Sequence, residues 1–323
     1  MSFDIKILDK VPYCMDVFSQ AVSESPNEVI LVDDVHTQGW TRAEVDILSG
    51  KVYSWLNKHN IGREDFVLIK LPRGGLPLIA MIGVWKAGAA FTVVEYDYSP
   101  ERIEFIKQDC KCKAVIDVDI WQEIMAEEPL TGYKIPDLHD AAFAVYTSGS
   151  SGTPKGVLHE FGNIKLDELT SKTSIKQAQE TRAFISPLNF IVAVKTMRTL
   201  LYKNIKLIIV PYSIAKNPHR LQRFYDENNI KNSFLSPSII RALKHNISKS
   251  LKVIYTGSES ANGIFIDLPG VKLINNYSMS EAAFTLCNFV IDKPYEIYPI
   301  GKPNIKEIKF CLLDENGSEV KDC

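Results

Sequence analysis

Short β-branched runs alternate with amphipathic stretches along the chain. Residues 66–71, 90–94 and 114–117 read as strands in the first half, and 206–210, 251–255 and 271–275 repeat the pattern in the second. Between them, 76–86 reads as a helix stopped by Gly88, and Pro100 followed by two charges opens another over 100–109. Strand–helix–strand alternation implies parallel sheets covered by helices. The longest apolar run, 76–94, is broken by Lys86 and by Gly83 and Gly88. It reads as helix, turn and buried strand, because a spanning helix needs ~20 mostly apolar residues. Residues 127–140 are polar and contain prolines, the pattern of an exposed connection. After Pro294 the spacing tightens, with a strand at 307–313 and a turn at 314–317.

Composition narrows the function classes. The 323 residues carry 37 Lys and Arg against 39 Asp and Glu, a net charge of −2, with 46% hydrophobic and 24% charged residues. That excludes a disordered chain and a nucleic-acid binder driven by bulk positive charge. Six cysteines, with Cys110 and Cys112 spaced C-x-C, are too few for a disulfide scaffold and show no zinc spacing. Reduced thiols and a charged N-terminus fit a soluble, cytoplasmic protein with no membrane partner. The six histidines form no ligand spacing and read as ordinary surface or core residues.

One segment concentrates chemistry. Residues 146–156 read Tyr-Thr-Ser-Gly-Ser-Ser-Gly-Thr-Pro-Lys-Gly, directly after the apolar run 141–145. Glycines let the backbone approach a ligand closely; Thr147, Ser148, Ser150, Ser151 and Thr153 add hydroxyls, and Lys155 adds positive charge. Such a loop reads as a phosphate cradle, with a solvated Ser/Gly linker as the alternative, although not as the P-loop type, whose lysine follows glycine and precedes Ser or Thr.

The same segment resembles the signature loop of the adenylate-forming enzymes, which include acyl-CoA synthetases and nonribosomal peptide synthetase adenylation domains. Further blocks follow in order: Trp-Lys-Ala-Gly-Ala-Ala-Phe at 85–91, Tyr-Thr-Gly-Ser-Glu at 255–259, Asn-Asn-Tyr-Ser-Met-Ser-Glu at 275–281, and Pro-Ile-Gly-Lys-Pro at 299–303. The resemblance implies an α/β fold with two doubly wound subdomains and the start of a β-barrel. The division expected is 1–187 for the first subdomain, part of its N-terminus packing on the second, 188–292 for the second, and 293–323 for the start of the barrel. It also implies joining of a carboxylic acid to ATP, giving acyl-AMP and pyrophosphate. Transfer to a thiol would follow, on CoA or on the phosphopantetheine of a carrier protein.

The resemblance assigns the loop Thr147, Ser148, Gly149, Ser150, Ser151, Gly152, Thr153 and Lys155 to the phosphates. Gly257, Ser258, Glu259, Asn276, Tyr277, Ser278 and Ser280 fall to the nucleotide, with Tyr277 on the base. Glu281 would hold Mg²⁺, a hard cation suited to carboxylate and phosphate oxygens, and with Lys155 it is the expected catalytic pair. Asn189, Phe190, Phe234, Ile254, Thr256, Phe284 and Thr285 are the expected acid pocket. Relatives that activate α-amino acids carry an aspartate for the ammonium, whereas 185–194 has no acidic residue. An unpaired buried ammonium costs several kcal/mol, so an acid without an α-ammonium is expected, with an α-amino acid as the alternative. Segments that relatives carry further on, including a ribose-binding aspartate and a small C-terminal domain with a catalytic lysine, are not in the 323 residues. The chain therefore reads as an N-terminal portion, expected to be nearly inactive alone and to need that C-terminal region as a partner. A catalytically inactive nucleotide-binding or interaction module of the same descent is the alternative.

Overall fold

The computed structural model describes residues 5–148, 154–169, 179–243, 246–282, 284–304, 311 and 313–320. Fourteen strands are present among them: β1 (Val29–Val32), β2 (Trp40–Thr41), β3 (Phe66–Ile69), β4 (Ala90–Val93), β5 (Ala114–Ile116), β6 (Ala141–Ser148), β7 (Pro154–Glu160), β8 (Glu180–Phe184), β9 (Ile205–Ile209), β10 (Asn232–Phe234), β11 (Val253–Gly257), β12 (Lys272–Tyr277), β13 (Cys287–Ile291) and β14 (Lys302–Pro303). They form a five-stranded sheet, ordered β5-β3-β4-β6-β7, and a nine-stranded sheet, ordered β14-β13-β12-β11-β10-β8-β9-β1-β2. The predicted strands of both halves are present, and each sheet is parallel at its centre with antiparallel pairs at its margin.

The changeover between sheets differs from the expected division at 187/188. β8 already lies in the nine-stranded sheet, so the crossing comes before Glu180. The polar Glu180, Thr181 and Arg182 hide this strand from a hydrophobic reading. β1 and β2 also join the nine-stranded sheet, the place expected for part of the N-terminus. At the other end β14 continues the same sheet, and Leu313 bridges Glu319 beyond it, with no closed barrel among the described residues. Asp314 accepts bonds from the amides of Asn316 at 2.9 Å and Ser318 at 2.8 Å, which builds the predicted turn.

One core joins the two sheets. It contains Ile30, Leu31 and Leu207 from the larger sheet and Val67, Ile69 and Phe91 from the smaller. The helix Gly75–Lys86 runs through it with every residue but Leu76 buried. Its sequence is apolar all round, which suits a helix enclosed by other elements. Lys86, at its end, stays charged-compatible because its Nζ reaches Asp46 Oδ1 at 2.6 Å and the Asp46 carbonyl at 2.8 Å. No helix among the described residues is long and apolar enough to cross a membrane.

Polar ties reinforce this joint near the strand ends. Asp33, just past β1, accepts a bond from the Gly75 amide at 2.8 Å, satisfying an open donor at the start of the helix Gly75–Lys86. Arg73 donates to three carbonyls of the larger sheet's loops: Phe184 at 3.0 Å, Ser186 at 2.7 Å and Val210 at 3.0 Å. Its guanidinium lies between the rings of Phe184 and Tyr212, at 4.9 Å and 4.6 Å from their centroids.

Candidate active site

Topology locates the site. From β8 the chain crosses to β9 on one side, then returns to place β10 on the other side of β8. Where successive connections diverge in this way, a crevice opens beyond the carboxyl ends of the strands. A cavity of about 720 Å³ lies there. Its walls come from the ends of β8, β10, β11 and β12 and from the helix Ile191–Tyr202, which follows β8.

The antiparallel hairpin β6–β7 carries the candidate phosphate loop. Thr147 is opposite Lys155 and Ser148 opposite Pro154, so the two flanks leave and return side by side. Gly149, Ser150, Ser151, Gly152 and Thr153 lie outside the described residues. Tyr146 braces the hairpin, donating to Asp109 Oδ2 at 2.6 Å. The Lys155 side chain is exposed.

His159 ties this hairpin to the other sheet. Its Nε2 lies 2.7 Å from the Ser280 carbonyl, and its ring stacks on Phe143 with centroids 4.6 Å apart. Burial lowers its pKa, partly countered by the Ser280 carbonyl and Asn163. A neutral imidazole with its proton on Nε2 donates to that carbonyl. The contact fixes the short 3₁₀ turn Ser280–Ala282, which presents the exposed carboxylate of Glu281. His159 is a core residue, as the sequence reading allows, and it also makes a cross-sheet contact beside the candidate metal carboxylate. Its placement five residues after Thr-Pro at the hairpin's start was the available signal.

The strand ends provide the candidate nucleotide surface. Ser258, Asn276, Ser278 and Ser280 line the cavity. Gly257 has φ +152°, and a Cβ there would strike the Asn276 carbonyl oxygen, so the tight exit from β11 requires glycine. Ser258 follows at φ 70°. The Thr256 hydroxyl is buried with no hydrogen-bond partner, though it does not reach the cavity wall. Tyr277 is part-exposed at the end of β12, beside this surface rather than in the cavity wall. Glu259 turns away, accepting a bond from the Ser238 amide at 2.8 Å that lowers its carboxyl pKa.

The expected acid pocket divides. Phe190, Phe234 and Thr285 line the cavity. Asn189 instead donates to the Tyr98 hydroxyl at 2.6 Å, and Ile254 is wholly buried in the core beneath the larger sheet. Thr256 and Phe284 are buried and also lie off the cavity wall. For Ile254 and Thr256 the reason is strand alternation: every second residue of β11 points to one face, and Tyr255 takes the cavity side. The wall also holds charges that an apolar pocket does not anticipate, Arg182, Lys195, Arg198 and Lys203. Cations at 195 and 198 in a largely apolar helical stretch were the legible clue.

A divalent cation fits the donor set in one manner only. No group of three or more His, Cys, Asp or Glu side chains converges among the described residues. A single carboxylate, Glu281, beside the hydroxyl-bearing Ser280 suits Mg²⁺ that takes its other ligands from phosphates and water.

Comparison with known proteins agrees with this architecture. A family model described as "AMP-binding enzyme" matches residues 18–322. Bacitracin synthase 1 of Bacillus licheniformis is 24% identical over 93% of this chain, which spans 6% of that protein. Syringomycin synthase SyrB1 of Pseudomonas syringae pv. syringae is 24% identical over 94% of the chain, corresponding to 55% of that protein. Among solved structures, the NpsA N-terminal subdomain from Klebsiella oxytoca, in complex with anthranilyl-AMSN, superposes with TM-score 0.80 at 18% identity, covering 95% of this chain and 85% of that one. The N-terminal domain of FACL13 from Mycobacterium tuberculosis gives TM-score 0.75 at 16% identity, covering 86% of this chain and 78% of that one. With the loop, the ordered blocks and the two-sheet fold in agreement, the chain belongs to the AMP-binding enzyme family, and its fold is that of the N-terminal subdomain of adenylate-forming enzymes.

Proposed function

We propose that this chain forms the nucleotide- and acid-binding portion of a ligase that activates a carboxylic acid with ATP and Mg²⁺. One observation carries the reading. The hairpin bearing Thr147 and Lys155 is hydrogen-bonded through His159 to the turn bearing Glu281, at the mouth of the strand-end crevice. A carboxylate oxygen attacks the α-phosphorus of ATP, the bond from that phosphorus to the bridging oxygen breaks, and pyrophosphate leaves. Two anions must meet, so positive charge and aligned donors are required on the phosphates. Lys155 and the 147–153 hydroxyls and amides serve the leaving phosphates. Glu281 would hold Mg²⁺, which would neutralise charge on the phosphate oxygens. Gly257, Ser258, Asn276 and Ser278 hold the nucleoside, with Tyr277 against the base.

The acid lacks an α-ammonium. Residues 185–194 contain no carboxylate to pair with one, and the cavity wall carries several cations that would repel it. The acyl-AMP then passes to a thiol, on carrier-protein phosphopantetheine or on CoA. The synthase relatives favour the carrier, and the NpsA complex with anthranilyl-AMSN favours an aryl acid.

Lys155→Ala tests the nucleotide placement. Calorimetric titration is expected to show a loss of about tenfold or more for ATP and little change for AMP, because a charge-assisted contact to β- and γ-phosphates is removed. Equal losses for ATP and AMP would take Lys155 out of that role.

A further inference from the structure

The cavity wall holds more positive charge than its surroundings neutralise. Arg182 stands in the middle of β8, and Lys195 on the helix Ile191–Tyr202; both reach the cavity. Neither side chain makes a hydrogen bond or ion pair among the described residues. Arg198, one turn beyond Lys195, is different. Asp167 holds it at 2.7 Å, and Glu168 holds its other arm. The acids that act on Arg182 and Lys195 are already engaged. Asp167, which attracts Lys195, is bound to Arg198, and Glu180, which attracts Arg182, accepts a bond from Asn232. Burial outweighs those attractions and lowers the pKa of both groups. Of the undescribed stretches next to cavity-lining residues, 149–153 and 170–178 contain no Asp or Glu, and 305–310 contains one acid, Glu307.

Arg182 and Lys195 are half-buried; a cation withdrawn from water without a partner is costly, and a site that keeps two of them facing one cavity is built to receive an anion. The position of Arg182 says which anion. It lies two residues short of the end of β8, about 7 Å below the strand ends at 3.3 Å per residue. The nucleotide surface, Ser258, Asn276, Ser278 and Ser280, lies at or beyond those ends. The charge therefore extends to the floor of the acid pocket, away from the phosphates.

We propose that the pocket takes a carboxylic acid bearing a second anionic group, a dicarboxylate in the simplest case, and that Arg182 and Lys195 bind this second group. The inference rests on the adenylation reading and names its substrate class. The reacting carboxylate sits at the strand ends, and the second one reaches inward to the two cations.

The test uses matched acyl-sulfamoyl adenosines, stable analogues of acyl-AMP: 3-carboxybenzoyl against benzoyl, and succinyl against butanoyl. The dianionic member of each pair is expected to bind tenfold or more tightly, the scale of charge-assisted hydrogen bonds to a buried group. Lys195→Met and Arg182→Met keep an apolar stem. Each should cost the dianionic member about tenfold and its partner less than threefold. Without ligand, both variants should unfold at an equal or higher temperature than the parent, since each removes an unpaired, half-buried charge. Equal affinity within each pair would overturn the inference while leaving adenylation standing. So would equal losses for both members, which would place the cations on the shared phosphate-like part. A lower unfolding temperature in both variants would show that the cations are structural and would also overturn it. Failure of AMP and all four analogues to bind the parent chain would overturn the adenylation reading itself, and this inference with it.

Discussion

Glu281→Gln is expected to cut magnesium-dependent acyl-AMP formation by about 10²–10³-fold, the cost of losing one preorganised charge-stabilising contact. The substitution keeps size and one carbonyl oxygen but removes the charge that a hard cation requires. Glu281 is exposed on the turn Ser280–Ala282, so the fold should tolerate the change. Titrating Mg²⁺ in single-turnover reactions separates the effects. A rise in the magnesium concentration needed, with the fold unchanged by circular dichroism, is the expected pattern. Unchanged magnesium dependence would remove Glu281 from metal binding and leave the hairpin contact at Ser280 without a catalytic consequence.

The second large effect is structural. Arg73→Met should lower stability by several kcal/mol, because each buried carbonyl left without its donor costs about 1–3 kcal/mol. Three carbonyls, those of Phe184, Ser186 and Val210, lose their donor at once. Burial already lowers the Arg73 pKa, with Tyr212 and Glu95 opposing that shift. The guanidinium is therefore held by geometry as well as by charge. Since domains are stable by only ~5–15 kcal/mol, urea unfolding should show a large drop in midpoint. Arg73→Lys should recover little, because one ammonium cannot reproduce a planar fork donating to three oxygens. Lysine behaving like arginine in that unfolding curve would show that charge alone, rather than the fork, ties the sheets.

Much of this architecture is legible in the chain because its central strands are apolar runs with β-branched residues and are largely buried. The runs at 66–69, 90–93 and 253–257 stand out for that reason. β8 and β10 do not, since Glu180, Arg182, Asn232 and Ser233 interrupt the apolar pattern. Their polarity has two causes: Arg182 reaches the crevice that these strands flank, and Ser233, on the opposite face, bonds the buried Tyr225 hydroxyl at 2.6 Å. The segment 146–156 stands out in the sequence by its glycine and hydroxyl spacing, and its flanks pair as the hairpin β6–β7. The acid pocket was harder, because its wall assembles from separated strands and a helix whose register no local pattern fixes. A shift of one residue on β11 exchanges Tyr255 for Ile254 or Thr256 at the cavity. Long-range partners were also invisible, as with His159 and Ser280, which are distant in sequence and meet only through the packing of two sheets.

The central claim is that the strand-end crevice joins a carboxylate without an α-ammonium to AMP. Acid-dependent exchange of labelled pyrophosphate into ATP measures it most directly, using the polypeptide with whatever sequence follows Cys323 in its reading frame. The account predicts exchange that needs Mg²⁺, that falls in Glu281→Gln, and that is stronger for a carboxylic acid than for the α-amino acid of matching side chain. Exchange that prefers the α-amino acid, or none across a broad panel of mono- and dicarboxylic acids, would contradict it.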